Sequence, residues 1–148
     1  MAQIVESIDI ARPPSDVFAY LDELERHGEW QEAIVSSQMI TDRPVRVGSR
    51  ASDKRRMPGG MTATVTYEIV GHDPPRRTRF EGVNGPVRVV GAVSIEPIEG
   101  GAGSRLTLEL DFKGRGIGKL LAPMARRQAL KQVPADQRRL KERVESGV

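Results

Sequence analysis

Between Met61 and Phe112 the chain repeats one short period four times, and an antiparallel sheet is the structure that period dictates. Met61, Ala63, Val65, Tyr67 and Ile69 alternate with Thr62, Thr64, Thr66 and Glu68. Residues 77–83 alternate around Phe80. Val87, Val89, Gly91, Val93 and Ile95 share one parity, and Leu106, Leu108, Leu110 and Phe112 alternate with Thr107, Glu109 and Asp111. A period of two sends successive side chains to opposite faces of a strand, so each run is a strand with one apolar face. Asp73-Pro74-Pro75, Asn84-Gly85 and Gly100-Gly101-Ala102-Gly103 separate the runs, and all three carry turn-forming chemistry. Strands joined this closely pair with their neighbours as a meander.

The flanks extend the pattern. Residues 34–40 and 48–57 predict two further strands, with Pro58-Gly59-Gly60 as a hairpin turn, and Ile4, Ile8 and Ile10 predict a first strand over 3–10 that Pro13-Pro14 stops. Pro14 or Ser15 then opens a helix with Asp16 in its first turn, where the helix dipole favours an anion. Val17, Phe18, Leu21 and Leu24 form its apolar stripe, Gly28 closes the helical region, and Trp30 follows. After residue 117 the period becomes helical. Leu121, Met124, Ala125, Ala129, Val133, Leu140 and Val144 lie roughly along one face of a helix predicted over 117–145. At 1.5 Å per residue that helix is about 40 Å long. Pro134 is expected to kink it near Leu130, and Pro123 is a candidate for its first turn.

A seven-stranded antiparallel sheet must bury one face, and the C-terminal helix is the element long enough to cover it. The expected class is α+β: a seven-stranded antiparallel sheet wrapped around a long C-terminal helix, with short helices after the first strand, in a single domain over 1–148. A curved sheet gripping one helix leaves a lined space between them, and such apolar spaces with a few polar groups are where ligands bind.

Composition removes several alternatives. The chain has no cysteine, which excludes disulfides and thiolate sites and fits a reducing cytoplasm. Two histidines, His27 and His72, leave little for a metal site, and neither a metal nor any cofactor is expected. No apolar run approaches the roughly 20 residues of a membrane span, and the first residues lack the pattern of a signal peptide. Net charge is +3, but residues 113–148 carry +7 and residues 1–112 carry −4. The basic end holds no aromatic on which bases could stack, so nucleic-acid binding is not expected. Its cations, from Lys119 to Arg143, read as a solvated helix face or as a surface for transient docking on an anionic membrane. Gly114-Arg115-Gly116-Ile117-Gly118 stands between a strand and a helix, the setting of a dinucleotide loop. Its spacing is GxGxG, and the strand before it belongs to a meander, so the glycines read as letting the chain turn tightly across the sheet.

Several segments carry a family resemblance. IDIARPPSDVFAYLDEL (8–24), Trp30, VTYEIVGHDPPRRTRFEG (65–82) and ADQRRLKERVE (135–145) occur in an order and spacing similar to the START-like superfamily, in its polyketide cyclase/dehydrase and lipid-transport (SRPBCC) branch. The resemblance implies a helix-grip fold. It also implies a small hydrophobic ligand held between sheet and helix by a carrier or sensor, monomeric or homodimeric, or a cyclase or dehydrase using the same cavity. Fold does not choose between these.

Candidate ligand-binding residues are Trp30, Met57, Met61, Tyr67, Phe80, Val89, Leu108, Leu121 and Met124. Trp30 is either a stacking surface or a seal on the core. The methionines fit an adaptable lining or plain core. Tyr67 is the polar handle, since its hydroxyl requires a partner if buried. Asp53, Arg55 and Glu6 would bring charge or acid–base chemistry if they face inward, or protect strand edges and ends if they do not. His72 beside Asp73 reads as a solvated turn histidine and His27 as a cap at a helix end. No catalytic set emerges from these residues.

Overall fold

A computed structural model describes residues 3–57 and 59–147, so Pro58 of the expected hairpin turn lies outside the described residues. The strands are β1 (Ile4–Ile10), β2 (Ile34–Met39), β3 (Arg50–Arg56), β4 (Thr62–Asp73), β5 (Arg77–Gly82), β6 (Val87–Ile98) and β7 (Gly103–Gly114). Helix α1 (Pro14–Leu21) and a 3₁₀ segment, Leu24–Glu29, connect β1 to β2, and helix α2 (Gly118–Glu145) ends the chain. All pairings are antiparallel, in the order β1-β7-β6-β5-β4-β3-β2. β2 to β7 form the meander, and β1 closes onto β7.

The register fixes which side chains share the inner face. Ile4, Glu6, Ile8 and Ile10 stand opposite Leu110, Leu108, Leu106 and Ser104. Across β6 the same face carries Val89, Gly91, Val93 and Ile95. It continues through Phe80 to Ile69 and Tyr67, then to Ala51 and Asp53. Gly91 is required there. A Cβ on it would lie 2.5 Å from Phe80 Cζ and 2.9 Å from Leu110 Cδ2, so the missing side chain is what lets the Phe80 ring lie across the sheet.

Helix α2 runs back over β7, β1 and, less extensively, β6. It begins at residue 118 and passes through both prolines as one helix. Pro123 therefore sits five residues inside it rather than opening it. The glycines before it permit the tight approach expected: a Cβ on Gly118 would lie 1.9 Å from the Pro86 carbonyl oxygen, and one on Gly114 would lie 2.2 Å from the carbonyl of Gly118.

The two halves of α2 pack differently. Val133, Leu140 and Val144 are buried; Leu140 and Val144 join Ile10, Val17, Phe18, Ile95 and Leu106 in the main core, while Val133 packs with Ile4 and Leu110. Polar ties hold the same end. The Ala11 amide donates to Glu145 Oε2 at 2.8 Å, Lys141 Nζ to the Asp9 carbonyl at 2.7 Å, and Gln137 Nε2 to the Glu6 carbonyl at 3.1 Å. Earlier in the helix Ala122, Ala125 and Ala129 are half-buried, together with Arg126 and Gln128, and Leu120, Leu121 and Met124 are exposed. The expected stripe through Leu121 and Met124 is thus rotated: alanines meet the sheet and the large side chains point to water.

Candidate functional site

Because α2 covers β1, β7 and β6, the inner face of β3 to β5 is left to the 3₁₀ segment and the residues around it. Leu24 and Val45 pack there over Ala51, Tyr67 and Ile69. Beside this apolar cluster the inner face turns polar. Asp53 stands opposite Ser37 on β2 and Val65 on β4, which places it on the Tyr67 side of the sheet. It is buried. Ser37 Oγ donates to Asp53 Oδ1 at 2.8 Å, and Arg55 Nη1 lies 3.8 Å from Oδ2 while donating to Gln31 Oε1 at 3.0 Å. Burial pushes the Asp53 carboxyl above its ordinary pKa, against the opposing pull of Ser37, His27 and Arg55.

The 3₁₀ segment brings His27 to this group. Its Nε2 donates to the Leu21 carbonyl at 2.8 Å, and its ring meets Trp30 edge-to-face at 5.4 Å. Burial lowers its pKa, although the Leu21 carbonyl and the Asp53 charge act the other way. A neutral ring donating through Nε2 leaves Nδ1 as an acceptor. From α2, Asp136 is buried beside the same segment. It accepts from Arg139 Nη1 at 2.7 Å and from the Glu32 amide at 3.3 Å, and burial raises its pKa.

Two buried donors in this region have no hydrogen-bond partner among the described residues: the Tyr67 hydroxyl and the Trp30 indole N–H. Burial, with the nearby Asp53 charge adding to it, pushes the Tyr67 phenol far above its usual range, so it stays protonated. Its ring packs edge-to-face on Phe80 at 6.1 Å. A buried donor without an acceptor costs about 1–3 kcal/mol, so each is an unfulfilled demand for an acceptor.

Of the residues singled out in the sequence, the structure joins Tyr67 to Phe80, and Phe80 to Val89 and Leu108 around the Ile4, Leu110 and Val133 cluster. Trp30 packs at the edge of the main core, as do Ile8 and Val93. Met57 and Met61 flank the β3–β4 connection and are exposed, Met61 at 71%, because that connection reaches past the cover of α2. Leu121 and Met124 are exposed for the rotational reason given above. Asp53 and Arg55 share the inner face, as does Glu6, opposite Leu108. Sequence reasoning missed Ser37, His27 and Asp136 as members of the group. Ser37 had a signal, since it shares parity with Met39. His72 is not a solvated turn histidine: its Nε2 lies 2.9 Å from Asp22 Oδ2 and its ring packs on Phe18 at 5.4 Å, which ties β4 to the end of α1. A depression of about 360 Å³ lies on the opposite, outer face between Arg77, Arg79, Glu109 and Asp111. Its walls carry charge of both signs beside Val90 and Ala92.

A curled seven-stranded antiparallel sheet gripping a long C-terminal helix, with polar groups on the inner face, defines a helix-grip protein of the START-like class. The chain belongs to the polyketide cyclase/dehydrase and lipid transport family, whose model matches residues 1–145. Solved structures share the fold. A START superfamily protein of Mycobacterium smegmatis superposes with a TM-score of 0.80 at 14% identity, covering 98% of each chain. The Zhui aromatase/cyclase of a Streptomyces species gives 0.81 at 14% identity, covering 96% of this chain and 92% of that one. A Thermus thermophilus protein gives 0.78 at 20% identity over 97% of each. No curated protein matches the sequence. Family and fold support a role in binding hydrophobic ligands or in cyclisation. Among the described residues no helix is long and apolar enough to cross a membrane.

Proposed function

We propose that this protein binds a small hydrophobic molecule bearing a polar acceptor, on the inner face between the sheet and α2, as a carrier or sensor. The observation that carries this reading is the pair of unpartnered buried donors, Tyr67 Oη and Trp30 Nε1. A carbonyl or hydroxyl oxygen of a ligand would satisfy them, while Phe80, Val89 and Leu108 offer apolar contact. The exposed Met57, Met61, Leu121 and Met124 would sit at most on the rim of such a site.

A second reading, a cyclase or dehydrase using the same site, is favoured by one feature. Asp53 holds its proton more tightly than an ordinary carboxyl and lies where its charge reaches Tyr67 and His27. That is the pairing needed to protonate a carbonyl oxygen and relay a proton. Against it, His27 Nε2 is committed to Leu21 and Asp53 to Ser37, so neither is poised over a substrate.

Trp30 is the only tryptophan, so its fluorescence reports on the site directly. Titration with flat aromatic and fatty ligands is expected to give saturable quenching that weakens about 3–10-fold in Tyr67→Phe, for the loss of one hydrogen bond. Quenching unchanged in both Tyr67→Phe and Phe80→Ala would place the site elsewhere. Turnover of a polyketide-like substrate that Tyr67→Phe abolishes while binding persists would decide for the enzyme.

A further inference from the structure

The first half of α2 is amphipathic in the reverse of the usual sense. Between Asp111 and Asp136 the sequence has no acidic residue, and it carries six cations: Lys113, Arg115, Lys119, Arg126, Arg127 and Lys131. On the face turned from the sheet, Ile117 is 66% exposed and Leu120 76%, with Leu121 and Met124 exposed beside them. Residues at spacings of three and four lie on one side of a helix, so these four make one apolar ridge. Arg127 and Lys131 continue the same face one turn on, and both are exposed. Large apolar side chains held in water next to uncompensated positive charge require an explanation that core packing does not give, because the alanines do the packing.

We infer that this face, from Ile117 to Lys131, docks on an anionic lipid membrane. Charge complementarity selects the occupant. A second copy would bring its own cations against Arg127 and Lys131, and like charges at an interface oppose association. An anionic bilayer offers negative charge without geometric demand and an apolar layer beneath it. Lys and Arg stems lie along such a surface with their charges at the headgroups while Leu and Ile enter the acyl boundary. The helix lies on the surface and does not span it, in keeping with its charge. The inference is independent of the ligand proposed above, since the two share at most Leu121 and Met124, at the rim of that site.

The test is co-sedimentation of the full chain with vesicles of phosphatidylcholine alone and with about 30 mol% phosphatidylglycerol, where each basic residue near the surface strengthens binding about five-fold. Binding is expected only to the anionic vesicles and is expected to fall as salt rises from about 0.05 to 0.5 M, through screening. Lys119→Ala/Arg127→Ala/Lys131→Ala should weaken it about 100-fold, and Ile117→Ser/Leu120→Ser at least about tenfold through lost insertion. Those positions are exposed, so unchanged thermal unfolding is the accompanying check. Lys54→Ala, an exposed cation on β3, should have no effect. Failure to bind anionic vesicles at low salt would overturn the inference, as would equal binding to neutral ones. So would binding indifferent to these substitutions. Binding of poly-glutamate as tight as that of vesicles and indifferent to Leu120→Ser would assign the face to acidic proteins instead. A dimer in sedimentation equilibrium that Leu120→Ser dissociates would assign it to a second copy.

Discussion

Tyr67→Phe should make this protein more stable, which is the opposite of what removing a buried tyrosine hydroxyl ordinarily does. A hydroxyl with a buried partner contributes about 1 kcal/mol, and deleting it costs about that much. Tyr67 Oη has been taken out of water and given no partner, so its desolvation is uncompensated. The ring itself stays in place against Phe80 whether or not it carries the oxygen. Removing the oxygen should therefore recover about 1–2 kcal/mol, an increase in Tm of about 3–6 °C for a chain of this size. Urea unfolding followed by circular dichroism reads the change as a higher midpoint at unchanged slope. Tyr20→Phe is the matched control. Its hydroxyl donates to Glu29 Oε1 at 2.7 Å from a buried ring, so that variant should lose about 1 kcal/mol. If Tyr67→Phe instead costs as much as Tyr20→Phe, the Tyr67 hydroxyl is satisfied in solution, and the argument that it awaits a ligand acceptor fails.

Three further outcomes follow from the packing and the charges. Gly91→Ala should cost about 1–3 kcal/mol by urea unfolding, because its methyl group would occupy the space of the Phe80 ring, and Phe80→Leu in the same chain should recover part of the loss. Leu140→Ala, at a side chain 1% exposed in the main core, should cost about 2–5 kcal/mol by the same measure. For His27 the folded pKa lies below the unfolded value near 6.5, so its contribution is present above about pH 6.5 and is lost as pH falls toward the folded value; His27→Gln should flatten the drop in Tm between about pH 7 and 5.5 and leave the acid limb below about pH 4.5 in place.

Most of the frame was legible because alternation and turn chemistry report directly on strands that bury one face. Each predicted strand formed, and β4 and β6 ran further than their alternation, to Asp73 and Ile98, up to the turns themselves. What failed to show was whatever depends on contacts distant in sequence. Residues 50–57 carry charge on both parities, so which of them faces inward became visible only when Ala51 paired with Tyr67 and drew Asp53 onto the same side. His72 finds Asp22, 50 residues away. The phase of α2 misled for another reason. An apolar stripe read from sequence gravitates to the largest side chains, whereas the close approach set by Gly114 and Gly118 admits only small ones, so Ala122, Ala125 and Ala129 took the sheet.

Apart from Arg88 Nε, buried on β6 without a partner among the described residues, the departures from ordinary local energetics gather around the inner face. Asp53 and Asp136 are buried carboxyls with raised pKa, and Tyr67 and Trp30 carry unpartnered donors. By contrast, the ion pairs of the outer face, such as Arg105 with Asp9, are exposed and conventional. Folding alone does not require such a concentration of unfavourable groups, since apolar residues of similar volume would serve the core better. Helix α2, which covers the neighbouring strands β1, β7 and β6, is fastened at Lys141, Val144 and Glu145 and rests on alanines near Gly118. Its first half therefore loses less apolar burial on lifting than its second half does, and local opening should begin there. A ligand that supplies acceptors to Tyr67 and Trp30 would offset the very terms that make this region unfavourable. Stability deliberately short on the inner face is thus the physical counterpart of affinity for something that enters it.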